Sequence, residues 1–156
     1  MRHLTQDELV LFYYREEGGG LMVGVGPSAH GEFHPEAIRQ MKSAGAWLKV
    51  NGEAIYATRP RDGGRWAEGD TARFTRSKDR RFVFAILTEW PGTEIALKSV
   101  RPKKRSRVAL LGSDAALEWR FDSSRGTIIS FSENLQSAAN RPCEHAWTLK
   151  LETESA

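Results

Sequence analysis

The chain has 156 residues, a formal charge of +3, 40% apolar and 28% charged side chains, a composition of the soluble globular class. That length holds one domain, or a sandwich with a short appendage, and excludes a closed barrel of eight strand–helix units, which needs about 250 residues, beside a second domain. No apolar run reaches the roughly 20 residues that span a bilayer, the polar opening Met1-Arg2-His3-Leu4-Thr5 gives no signal for export, so a cytoplasmic location is the default, and the single Cys143 excludes an internal disulfide.

Thr5 and Glu8 have the spacing of a capping box, which predicts a helix through the apolar residues 9–14, closed by Gly18-Gly19-Gly20. The apolar run 21–25 between glycines predicts a short buried strand. Pro35 opens a second helix, along which Ile38, Met41, Gly45 and Leu48 recur at three- and four-residue steps. The pattern changes between Arg59 and Gly69. Alternating residues 72–76, a turn at Ser77-Lys78-Asp79 and the apolar run 81–87 predict a hairpin, and further strands follow at 94–99, 107–111, 117–121, 127–131 and 146–151. Short strands without an intervening helical period argue for two packed antiparallel sheets. The expected fold is therefore mainly β, an antiparallel two-sheet β-sandwich over residues 66–156 preceded by a helix–strand–helix segment over residues 1–60.

The densest basic run, Arg101-Pro102-Lys103-Lys104-Arg105, lies where Pro102 and Ser106 mark a turn, so a solvated tip outweighs a phosphate-binding patch and no nucleic-acid partner is expected. A membrane partner is not expected either.

Two stretches carry more specific information: Trp47-Leu48-Lys49-Val50-Asn51-Gly52-Glu53-Ala54-Ile55-Tyr56-Ala57-Thr58-Arg59-Pro60 and Pro142-Cys143-Glu144-His145-Ala146-Trp147-Thr148-Leu149-Lys150-Leu151. Together they resemble the end of an α-L-fucosidase of glycoside hydrolase family 29. Residues 21–31 resemble that family's Leu-Leu-Leu-Asn-Val-Gly-Pro-x-Ala-Asp-Gly segment, the last strand of a (β/α)8 barrel with its loop, and residues 35–50 resemble the helix that closes the barrel. Trp66, Phe74-Thr75-Arg76, Trp90-Pro91-Gly92 and Leu110-Leu111-Gly112-Ser113-Asp114 resemble parts of its C-terminal sandwich. The resemblance implies retaining hydrolysis of terminal fucose from an oligosaccharide or glycoside, with no cofactor. Gly24 and His30 stand where the family has asparagine and aspartate, which removes two side-chain acceptors. The family's nucleophile, acid/base carboxylate and fucose-gripping histidines belong to strands ahead of residue 1, so the expectation is a shortened, fucosidase-related chain.

Retaining hydrolysis uses two carboxyl groups about 5–5.5 Å apart. The loop after the expected strand lies on the active face of such a barrel. It offers Glu32 and, in the first helical turn, Glu36 as catalytic candidates, with His30 and His34 as sugar contacts. Glu36 also fits simple complementarity to the helix dipole, and the two histidines fit exposed loop positions. Their spacing lacks a third metal ligand, so no metal is expected. Aromatic faces stack on sugar C–H surfaces. Trp47, Trp119 and Trp147 fit core positions, whereas Trp66 and Trp90 lie at strand margins and form the expected carbohydrate platform, with Arg59 as a donor. Three readings stay open: a minimal fucosidase-related hydrolase, a non-catalytic sandwich that binds glycans or packs on a separate catalytic chain, and a fold relic. The exposed strand edges and apolar segments predict self-association, as a symmetric dimer or higher.

Overall fold

A computed structural model describes residues 24, 26–61 and 66–154, with Ala116 described by its backbone. The expected first helix at 5–14 and the strand at 21–25, Gly24 aside, lie outside the described residues. Among the described residues one α-helix, α1 (Pro35–Asn51), leads into nine strands. They are β1 (Thr58–Pro60), β2 (Ala67–Glu68), β3 (Ala72–Ser77), β4 (Phe82–Leu87), β5 (Glu94–Leu97), β6 (Val108–Leu110), β7 (Ala116–Asp122), β8 (Gly126–Ser130) and β9 (Trp147–Glu152). Short 3-10 turns lie at Gly52–Ala54, Glu133–Gln136 and Ala138–Asn140.

Every strand pair is antiparallel, and the hydrogen-bonded path runs β1-β3-β4-β9-β6-β7-β8-β5, with β2 also on β3. Strand β7 joins the two layers, since Ala116 and Leu117 pair with β6 whereas Glu118 to Asp122 pair with β8. The layers close on one core in which Phe74, Ala85, Leu110 and Leu149 meet Leu97, Ile129 and Phe131. This is the two-sheet arrangement expected from the strand pattern.

The run at 82–87 is continuous because β4 is covered on both sides. Side chains alternate across a strand. Val83, Ala85 and Leu87 therefore face the sandwich core, while Phe84 and Ile86 face a second cluster with Trp47, Ala54 and Ala146. Helix α1 is the third layer. Pro35 fixes its first turn, the His34 ring Nδ1 accepts from the Glu36 N–H at 3.2 Å, and Glu36 and Lys49 complement the two ends of the dipole.

The predicted stripe along α1 finds a partner only in its C-terminal half. Trp47 and Asn51 are buried and Leu48 packs against the second cluster, but Ile38 and Met41 are 37% and 42% exposed. The first turns run past the sheet, where no described layer meets them. Strands β1 and β2 occupy a stretch whose sequence showed only a change of pattern. They are two or three residues long and form by pairing on β3, with too few side chains to establish a period.

Candidate functional site

The loop ahead of α1 is a tight turn. Ser28 Oγ accepts from the His30 and Glu32 N–H groups at 3.3 and 3.2 Å, the Ser28 N–H donates to the Glu32 carbonyl at 2.8 Å, and Gly31 takes φ +79°. A left-handed φ of this kind suits glycine. His30, Glu32 and His34 are all exposed on this turn. Glu36 is gripped by Arg39 through Nε at 2.9 Å and Nη2 at 2.5 Å, and Gln40 also donates to it. The Arg39 hydrogen bonds hold the Glu36 carboxyl below its ordinary pKa. The chain thus brings Glu32 and Glu36 to one end of the helix, with Glu36 already engaged by Arg39 and Gln40.

The other carboxylates whose pKa the fold moves are also moved down. Asp79 is lowered first by the Ser77 hydroxyl, Glu94 by Arg125, and Asp122, to about 2, by the Ser124 hydroxyl. A general acid in glycoside hydrolysis needs the opposite shift, produced by an apolar pocket or a neighbouring carboxylate. These four groups serve turns, helix ends and ion pairs.

Arg59 is exposed on β1 and Trp66 lies just ahead of β2, so both stand along the outer edge of β3. The Arg73 guanidinium lies 5.8 Å from the Trp66 ring centre. Trp90 is placed differently. Its ring meets Phe131 and Trp147 edge-on at 5.1 and 5.3 Å, its Nε1 donates to Gln136 Oε1 at 3.1 Å, and Arg141 lies 4.5 Å over it. The Trp90 ring is half-buried in these contacts. Its position before Pro91 suggested a margin, but Arg141, about fifty residues downstream, folds over it while donating to the Leu135 and Gln136 carbonyls.

The most elaborate polar construction joins α1 to the segment before β9. Trp47 Nε1 donates to the Ala146 carbonyl at 2.8 Å, Asn51 Nδ2 lies 3.4 Å from Cys143 Sγ, and the thiol donates to the Ala146 carbonyl at 3.1 Å. Ser43 Oγ meets His145 Nε2 at 3.3 Å, and Lys150 pairs with Glu53. Burial pushes the Cys143 thiol up, against the hydrogen bond from Asn51. Thr75 Oγ1 donates to the Ala54 carbonyl at 2.6 Å and ties the following turn to β3. Gly112, at φ +78°, leaves room for Val50, whose Cγ1 would lie 2.4 Å from a Cβ there. The two stretches that looked most specific in the sequence are therefore the two sides of one junction. Sequence reading found each of them but not their contact, because no periodicity links residues about 100 positions apart.

Residues 69–152 match the family described as alpha-L-fucosidase C-terminal domain, and residues 11–53 match the family described as alpha-L-fucosidase. The chain belongs to the alpha-L-fucosidase family. It is 32% identical to an alpha-L-fucosidase of Branchiostoma floridae over 96% of this chain and 33% of that protein. It is 33% identical to the tissue alpha-L-fucosidase of Homo sapiens over 86% of this chain and 28% of the human protein. The chain thus spans about a third of the length of the curated relatives it matches. In fold it is similar to the alpha-fucosidase of Thermotoga maritima, crystallised with a mechanism-based inhibitor, at a TM-score of 0.77 and 22% identity over 96% of this chain and 34% of that one. It is also similar to alpha-L-fucosidase isoenzyme 1 of Paenibacillus thiaminolyticus, at 0.75 and 19% identity over 97% and 35%. As a member of the alpha-L-fucosidase family the chain is a glycoside-hydrolase-related protein, and its strands form the family's C-terminal sandwich.

Proposed function

We propose that this chain serves the hydrolysis of terminal α-L-fucosides as the supporting part of the scaffold, with α1 clamped on the sandwich and the loop at 26–34 on the sugar side. The observation that carries this reading is the Trp47–Ala146 junction, which makes one body of the helix and the β-sandwich. The reaction is retaining, needs two carboxyl groups about 5–5.5 Å apart, and uses no cofactor. Glu32 is the loop carboxylate open to solvent, whereas Glu36 is held by Arg39, and His30 and His34 are the loop's sugar contacts. Incubation of the pure chain with an aryl α-L-fucoside tests the reading. The expected result is no release above a boiled control, and release that disappears in Glu32→Gln or Glu36→Gln would assign the reacting groups to this chain and overturn the supporting role.

A second reading, a glycan-binding sandwich, draws on Trp66 and Arg59 along one sheet edge. Calorimetric titration with fucosylated oligosaccharides tests it, with binding lost in Trp66→Ala as the supporting result and no heat of binding as the refuting one. Self-association draws on the exposed Phe33 just ahead of α1 and the exposed Ile38 and Met41 along its N-terminal half. Light scattering is expected to give a dimer or larger species at micromolar concentration, and a monomer contradicts it.

A further inference from the structure

Two segments rich in cations meet at one end of the sandwich. The turn at 77–81 brings three cations and the loop at 101–107 brings five, so this end holds eight of the 23 lysines and arginines. In these two segments and the end of β9 the described carboxylates are Asp79, Glu152 and Glu154, three against eight cations. The whole chain carries +3, less than the five by which cations exceed carboxylates in these segments.

The two segments are held together by the end of β9. The Lys103 N–H donates to the Glu152 carbonyl at 2.8 Å, the Thr153 N–H donates to the Arg81 carbonyl at 2.8 Å, and Pro102 bridges to Thr153. Arg81 and Lys103 share the Glu152 carboxylate at 3.7 Å each. Inside the loop the Ser106 N–H donates to the Lys103 carbonyl at 3.0 Å, Arg105 takes φ +63°, and Trp119 Nε1 donates to the Ser106 carbonyl at 2.8 Å. A run that reads as a solvated tip is a loop pinned on both sides. Like charges fixed this close repel one another and lower stability unless an anion relieves them. A pinned loop also loses little conformational freedom when a ligand binds.

Beside this loop, Arg101 lies 4.3 Å from the ring centre of Phe121, which stays 45% exposed. An exposed aromatic ring with a guanidinium over it offers apolar surface for sugar C–H groups beside a fork for an oxyanion.

We propose that this basic end binds a sulfated polysaccharide, with the loop at 101–107 and the turn at 77–81 taking sulfate esters and Phe121 lying against a sugar ring. The choice of a glycan among polyanions rests on the proposed role in fucoside hydrolysis. The binding surface itself rests on the charge distribution and the pinned loop. It would keep the chain on an anionic fucan without using the loop at 26–34.

Calorimetric titration of the full chain with a sulfated fucan, the desulfated fucan and duplex DNA, at low and at physiological salt, tests the proposal independently of turnover. Two variants serve: Lys104→Ala with Arg105→Gly, whose glycine suits the positive φ, and Lys42→Ala with Lys49→Ala, which removes the same charge from exposed positions of α1. The supporting result is binding of the sulfated fucan that weakens with salt, falls about tenfold in the loop variant, changes less than about twofold in the α1 variant, and is absent for the desulfated polymer. Three results overturn the proposal: no binding at low salt, equal losses in both variants, or tighter binding of duplex DNA than of the fucan. Fucan binding by a chain that plays no part in fucoside hydrolysis would leave the surface standing and remove the proposed function.

Discussion

Replacing Trp47 by alanine is the sharpest test of the junction between α1 and the sandwich. The side chain is 4% exposed, packs with Phe84 and Ile86, and donates to the Ala146 carbonyl at 2.8 Å. A buried tryptophan removes about 150–250 Å² from water, worth about 4–6 kcal/mol as an upper bound at about 25 cal/mol per Å². Core truncations of this kind cost about 3–5 kcal/mol. The lost hydrogen bond adds little, because the Cys143 thiol still donates to the same carbonyl. We expect a loss of about 4 kcal/mol, and at about 2–4 °C per kcal/mol for a chain of this size a fall in Tm of about 8–16 °C. Trp47→Phe keeps most of the packing but not the N–H, and should cost about 1–2 kcal/mol. Met41→Ala, at a position 42% exposed on the same helix, should stay within about 0.5 kcal/mol of the parent. Urea unfolding followed by circular dichroism gives all three. A Trp47→Ala chain within about 1 kcal/mol of the parent, or one no weaker than Met41→Ala, would refute the clamp.

Gly126→Ala should fail severely, because the residue sits at φ +87° and a Cβ would come 2.5 Å from the Leu97 carbonyl oxygen and 2.6 Å from Lys98 Cα, both backbone atoms. Strain and overpacking together suggest about 3 kcal/mol or more, and a melting temperature like that of the parent contradicts this. Asp122 titrates at about 2 because the Ser124 hydroxyl and the Ser124 and Arg125 N–H groups donate to it. Its folded pKa lies below the unfolded value of about 3.9, so its stabilisation is present above that value and is lost as pH falls towards about 2. Carbon-detected NMR titration should give a midpoint near the lower figure, and a midpoint at the ordinary value would contradict the turn. Burial raises the Cys143 pKa, so iodoacetamide should modify the folded chain at pH 8 far more slowly than the urea-unfolded chain, and equal rates would contradict the junction around it.

The strands from β3 onward were legible because their apolar residues alternate or run continuously between turn residues. Residues 81–87 signalled the second strand of a hairpin, and the structure adds why the run is continuous, with Phe84 and Ile86 covered on one side and Val83, Ala85 and Leu87 on the other. The helix was legible from Pro35 and the stripe, but the stripe does not say how much of it will be covered. Ile38 and Met41 have the right spacing and still face solvent, because coverage depends on where the sheet ends. Strands β1 and β2 exist through pairing alone and leave no period. At the candidate site the loop residues were found by type, whereas Glu36 was read against the helix dipole and its pairing with Arg39, three positions on, came from the structure. The engagement of Trp90 by Arg141 and the meeting of Trp47 with Ala146 were out of reach, since both are long-range contacts. The resemblance pointed at both halves of that junction without showing that they touch.

The supporting role is tested most directly by a crystal of the chain soaked with L-fucose. The account predicts that any sugar density lies against the loop at 26–34, with no pair of carboxyl groups around the anomeric carbon. A fucose held inside a single copy between two carboxyl groups about 5–5.5 Å apart would contradict it.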